Sequence, residues 1–157
     1  MVQFKTNYVE ALTIFQHYIK GLNGSASLLD LRLINKFMKK LKEEVLLPTE
    51  ETMKKVHEDY LKVTNEMSSL DEKKDKGKRD ELKKKLDDFD KQFKELQNSD
   101  LTVEVMSEQL QTFKQIFEKA KLSELRGSDR ERSAAFDNNA LLCFDSFLEK
   151  IDEVMEK

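Results

Sequence analysis

The sequence predicts an all-α protein, an antiparallel bundle of five to six amphipathic helices containing a coiled-coil-like helical hairpin at about 49–97. Three observations predict it. Four Gly and one Pro in 157 residues leave few turn formers, so elements must be few and long. Strong helix formers such as Leu, Lys and Glu dominate the composition. The apolar residues recur at alternating spacings of three and four, the period of a helix face. Charged residues make up 38% of the chain, and an equal 38% is apolar. The regular spacing of that apolar set argues against disorder, and the length suits a single domain, 1–157.

The first helix is expected at about 2–22, on Phe4, Tyr8, Ala11, Phe15, Tyr18 and Leu22, and ends at Gly21 or Gly24. Ser25 or Ser27 then caps a second helix at about 27–47. Its inner line is Leu29, Leu33, Phe37, Leu41 and Val45, widened by Ile34 and Met38. Pro48 should end it, because the residue before a proline is pushed away from helical angles. Thr49 is the expected cap of a third helix, about 49–73, with Glu50 and Glu51 at its positive end. Met53, Val56, Tyr60, Val63, Met67 and Leu70 give it a heptad seam. A matching seam on the fourth helix, about 79–97, is Leu82, Leu86, Phe89, Phe93 and Leu96.

Between Leu70 and Leu82 there is no apolar residue. In one straight helix those twelve positions would turn the second seam about 120° from the first, so one partner could not bury both. A reversal near Gly77 removes the conflict, since each helix then turns its own seam inward.

The fifth helix, about 102–126, is expected to bury Met106, Leu110, Phe113, Ile116, Phe117 and Ala120. The sixth, about 133–156, carries Phe136, Ala140, Phe144, Phe147, Ile151 and Val154. The loop-like stretch between them is Arg126–Arg132, and Arg130-Glu131-Arg132-Ser133 has the look of a basophilic kinase site, a pattern common by chance. No internal repeat is visible by eye.

The motifs of chemistry are missing. His17 and His57 have no carboxylate or Cys at the spacing of a helical metal site. Gly21-Leu22-Asn23-Gly24 lacks the Lys-Ser/Thr of a phosphate loop. An EF-hand register from Asp71 puts Lys76 and Leu82 where Gly and Glu are required. Cys143, the one cysteine, sits in an apolar run and reads as a buried thiol. Adjacent acids such as Glu43-Glu44 and Asp87-Asp88 point in different directions. The expectation is a non-enzyme with no catalytic residue, metal or cofactor.

Charge supplies the remaining signal. Lys73, Lys74, Lys76, Lys78, Arg79, Lys83, Lys84 and Lys85 stand against Asp75, Asp80 and Glu81, a local +5. The net charge of −3 then leaves −8 elsewhere. A basic hairpin tip on an acidic remainder would suit an anionic partner, such as a phosphorylated protein, a lipid head group or a nucleic acid. The acidic total and the lack of an aromatic among residues 73–85 argue against nucleic acid. Lys36, Lys39, Lys40 and Lys42 make the second helix basic too, though a core role explains it.

The leading expectation is a helical protein–protein interaction module, an adaptor or scaffold subunit. The hairpin seam would equally allow self-association. The alternative from a different class is an intracellular carrier of an apolar ligand such as a fatty acid, with ten Phe and six Met lining its pocket. One Cys, no apolar leader and no apolar run of bilayer length point to an intracellular protein, cytoplasmic first and nuclear second. Asn23-Gly24-Ser25 is accordingly read as a helix-ending turn rather than a glycosylation site.

Overall fold

The computed structural model describes residues 1–22, 26–119 and 138–156. Those residues form a mainly α-helical bundle with one two-stranded sheet, β1 (Val2–Thr6) and β2 (Leu101–Val105). The helices are α1 (Tyr8–Gly21), α2 (Leu28–Leu41), α3 (Leu47–Ser68), α4 (Lys76–Asn98), α5 (Ser107–Lys119) and α6 (Asn138–Met155). A π-helical turn, Lys42–Leu46, joins α2 to α3. The chain falls into two compact units. One holds Met1–Leu46 and Asp100–Lys157, the other Leu47–Ser99.

The sheet corrects the expectation of helix at 2–6 and 102–105. β1 and β2 pair antiparallel with Phe4 opposite Val103. Both strands alternate, burying Phe4 and Thr6 on one and Val103 and Val105 on the other. Alternation of this kind puts every second side chain on one face. The N-terminal Phe4–Tyr8 spacing fits a helix equally well, and the five-residue strands are too short to betray themselves by period. Asn7 starts α1 instead, its side chain accepting from the Glu10 N–H at 2.8 Å.

The first unit contains a repeat that side-chain identity hides. Shifting by 99 residues lays β1–α1 on β2–α5. Five buried positions then coincide: Phe4 with Val103, Thr6 with Val105, Glu10 with Gln109, Ala11 with Leu110, Ile14 with Phe113. Phe4 and Val103, equivalent under the shift, are also each other's partner at the centre of the ladder. The pairing is thus two-fold symmetric. The helices that follow exchange places in the same sense, α2 packing on α5 and α6 on α1. Ile34, Phe37 and Leu41 of α2 answer to Phe144, Phe147 and Ile151 of α6, all buried. In chain order, residues 47–99 fall between the two β-α-α halves.

An aromatic cluster fills the core of this unit. Phe4, Phe37, Phe113 and Phe147 are fully buried. Phe4 meets Phe147 at 4.9 Å between ring centroids, and Phe113 meets Phe147 at 5.3 Å. Phe37 touches Phe113 at 5.6 Å and Phe147 at 5.9 Å. Phe117 and Phe144 extend the stack, at 5.2 Å from each other. Edge-on and offset ring contacts of this kind add to the burial itself. Beside the cluster, the buried carboxylate of Glu10 accepts from the Thr6 hydroxyl at 2.8 Å and from Lys150 Nζ at 3.0 Å. The pair satisfies an acid that would otherwise be costly to bury.

Several sequence expectations shift by a turn or less. Ser27 caps α2 in a reciprocal box with Asp30. The buried face of α2 is Ile34, Phe37, Met38 and Leu41, whereas Leu29, placed on the inner line, is 65% exposed. Ile14 is fully buried on α1 and was not in the expected face; Met106 is exposed. Pro48 does not stop a helix, nor does Thr49 cap one; both lie in the first turn of α3. The preceding π-helical turn takes its bonds from the fifth residue rather than the fourth. The ladder is therefore already out of α register where the proline cannot donate. Phe136, Ala120, the Arg126–Arg132 loop, Arg130–Ser133, the 133–137 start of the last helix and Asn23-Gly24-Ser25 lie outside the described residues.

The second unit is the expected hairpin of α3 and α4. Its reversal, however, occupies 69–75 rather than Gly77. Asp71 explains the position. Its carboxylate accepts from the N–H groups of Lys73 (2.8 Å) and Lys74 (3.3 Å), an Asx-type turn. The Asp75 carboxylate reaches back to the Asp71 N–H at 3.1 Å. Ser69 and Leu70 close the end of α3 with N–H bonds to Glu66 and Met67 carbonyls. Gly77 then falls in the first turn of α4, with open space where a Cβ would stand. Gly77→Ala should therefore stabilise the hairpin by about 0.5–1 kcal/mol, by cutting unfolded-chain entropy without a clash. Urea denaturation followed by circular dichroism checks this. A lower midpoint would mean that the turn needs the glycine.

Candidate functional site

The hairpin seam is where a sequence-coded apolar surface stays incompletely covered. Each of Met53, Val56, Tyr60, Val63, Met67 and Leu70 is half-buried. So are Leu86, Phe89, Phe93 and Leu96; only Leu82 is buried. The expected seam positions thus coincide with half-buried or buried residues, though Leu70 lies beyond the end of α3, in the reversal. Two helices touch along a single line, so their seam side chains remain open along the flanks. Ring contacts fix the register: Tyr60 meets Phe89 at 6.3 Å and His57 meets Phe93 at 6.5 Å. The same antiparallel register sets Leu82 level with Met67.

The two flanks of the α3 seam differ. On one flank stand the charged Asp59, Lys62 and Glu66. On the other, His57, Leu61, Thr64 and Ser68 recur at 4, 3 and 4, forming a second stripe with no charge. All four are exposed, Leu61 by 46%. The Thr64 hydroxyl donates to the Tyr60 carbonyl at 2.9 Å, and Ser68 donates to the Asn65 carbonyl at 2.7 Å. Their donors are spent on their own helix, which leaves the stripe weakly polar. No sequence reading singled it out. Its signal, an uncharged i, i+4, i+7, i+11 line in a chain with 38% charge, was nevertheless present.

The basic residues are distributed rather than gathered. Lys73 and Lys74 belong to the turn; Lys76, Lys78, Arg79, Lys83, Lys84 and Lys85 ride on the first turns of α4. Helical geometry puts Lys76, Arg79 and Lys83 on one side of the α4 seam and Lys78 and Lys85 on the other, with Lys84 behind. Arg79, half-buried, lies 4.0 Å from Glu72; the other seven are exposed.

Resolving the hairpin also relocates the charge contrast. The whole unit, 47–99, carries thirteen Lys/Arg against fourteen Asp/Glu and is nearly neutral. Its distal half, 61–86, holds nine against six, +3. Its proximal half, 47–60 and 87–99, holds four against eight, −4. The polarity runs along the hairpin itself.

Elsewhere the described residues offer less chemistry. Among them no three His, Cys, Asp or Glu side chains gather as metal ligands do, and no helix is long and apolar enough to cross a membrane. Cys143 is half-buried on α6 and its thiol donates weakly to the Glu10 carbonyl at 3.7 Å. Burial, with the Glu10 charge adding to it, pushes that thiol up to about 11, so little thiolate exists near neutrality. A surface groove of about 340 Å³ between α5 and α6 has Phe117, Leu141, Phe144 and Leu148 along its floor. Glu118 and Asp152 edge it, and both pair with Lys114, whose ammonium is held charged above its usual range chiefly by Asp152.

No family model matches this chain. Nor does any curated protein or solved structure. The hairpin and its polarity therefore stand on their own geometry.

Proposed function

We propose that the chain is a non-enzymatic protein–protein interaction module, an adaptor or scaffold subunit, and that the α3–α4 hairpin is its binding element. The observation that carries this reading is the half-covered seam with the uncharged stripe beside it. A third helix laid there would bury apolar surface at about 25 cal/mol per Å² with few charges to desolvate. An intracellular, cytoplasmic setting belongs to the same reading, supported by the single cysteine.

Recognition of an anionic partner through the eight basic residues is the second reading, favoured by the exposure of seven of them. Carriage of an apolar ligand has less support, because six of the ten phenylalanines are packed ring on ring.

One comparison separates the readings: proteins retained from a lysate by the purified chain, by Leu61→Lys and by Lys76→Glu/Lys78→Glu/Lys83→Glu. Loss in the first variant alone supports the seam. Loss in the second alone supports anion recognition. Retention of the same proteins by both variants sinks the hairpin as the binding element. A lipid found in native mass spectra of the purified chain would revive the carrier.

A further inference from the structure

We infer that the hairpin's first partner is a second copy of this chain, docked antiparallel through the α3 stripe to form a four-helix arrangement. The inference rests on the interaction-module reading and names its occupant.

Charge decides between the orientations. A parallel second copy would set the +3 distal half against another +3 and the −4 proximal half against another −4. An antiparallel copy sets +3 against −4 at both ends. Like charges opposed across an interface are penalised, and complementary fields steer encounter. The antiparallel choice is also the one a two-fold axis across the helices produces, so a single patch can be its own complement.

The patch has the right content for such an axis. The stripe from His57 to Ser68 is uncharged, and Leu61 near its middle is the large apolar side chain. Under a two-fold centred there, Leu61 meets its own copy. The half-buried seam residues of the two hairpins then close on each other. That layout is an antiparallel bundle, the common way for helical hairpins to complete a core. It also explains why the apolar seam extends to Leu70 and Leu96 although neither helix of the hairpin covers it fully.

The test is sedimentation equilibrium on the full chain in low salt. The expected species is a dimer of the 18.5 kDa chain at tens of micromolar. Leu61→Lys puts two ammonium groups at the axis and should leave only monomer. The exposed position lets the fold persist, which an unchanged circular dichroism spectrum verifies. Lys76→Glu/Lys78→Glu/Lys83→Glu changes the distal half from +3 to −3, against −4. Dimer dissociation should then strengthen about tenfold or more, an effect that about 1 M salt suppresses. A parallel dimer would keep its affinity, because −3 would face −3 where +3 faced +3.

A wild-type chain that stays monomeric overturns the inference, as does a dimer that survives Leu61→Lys. A charge-reversed variant that dimerises as well as the wild type overturns the antiparallel orientation. If the wild type is monomeric but Leu61→Lys still loses captured proteins, only the second copy is excluded and the interaction-module reading stands.

Discussion

Replacing Phe37 with alanine is expected to cost about 3–5 kcal/mol, among the large effects expected for the described residues. Phe37 is fully buried on α2. Its ring meets Phe4 of β1, Phe113 of α5 and Phe147 of α6 at 6.2, 5.6 and 5.9 Å. Removing it opens a cavity bounded by three elements at once, and a site held from three sides collapses poorly. Domains of this size are stable by only about 5–15 kcal/mol, so the loss is a large share of the total. Hydrogen exchange gives the check. Protection in α2, α5 and α6 should fall together in Phe37→Ala. Phe89→Ala, at a half-buried hairpin position, should cost clearly less. Equal costs for the two would mean that the aromatic cluster is not the centre of the first unit.

That cluster shows how far period alone reached. Phe37, Phe113, Phe117, Phe144 and Phe147 were placed inward by their three-and-four spacing. Phe4 was placed inward too, but on the wrong element. The spacing from Phe4 to Tyr8 fits a helix, and the competing alternation in Val2–Thr6 covers only five residues. The ladder that makes it a strand comes from residues 101–105, about a hundred positions away. Local spacing cannot register a partner so distant. The repeat was hidden for a related reason. Burial position survives between the halves while side-chain identity does not, so Ile14 answers to Phe113 and Ala11 to Leu110.

The hairpin was more legible because phase is a strictly local quantity. Leu70 and Leu82 cannot share one seam, whatever the remainder of the chain does. What the phase could not give was the point of reversal. That is set by where the Asp71 and Asp75 carboxylates find backbone donors, not by the permissive residue at 77. The basic set was likewise legible as a charge but not as a shape. Helical geometry splits it around the seam, and the acidic proximal half then becomes part of the same surface.

Leu82→Ala carries the second large expectation, about 2–4 kcal/mol, felt at the distal end of the hairpin. Leu82 is 5% exposed, the only seam residue of α4 that is buried. It is flanked by Lys78, Lys83 and Lys85, whose charges gain nothing from moving closer together. Alanine there leaves the distal α3–α4 contact without its one well-covered apolar side chain. Asp71 and Asp75 can order the turn but bury no apolar surface. Hydrogen exchange should therefore quicken across 61–68 and 76–86. Leu86→Ala, half-buried one turn on, should give a smaller change of about 1–2 kcal/mol. The same loosening should weaken both dimerisation and protein capture, since the uncharged stripe on α3 keeps its aim only while α4 holds that helix. If Leu82→Ala leaves exchange in 61–68 untouched, α3 is held there by something other than the hairpin seam, and the binding role assigned to the seam loses its structural basis.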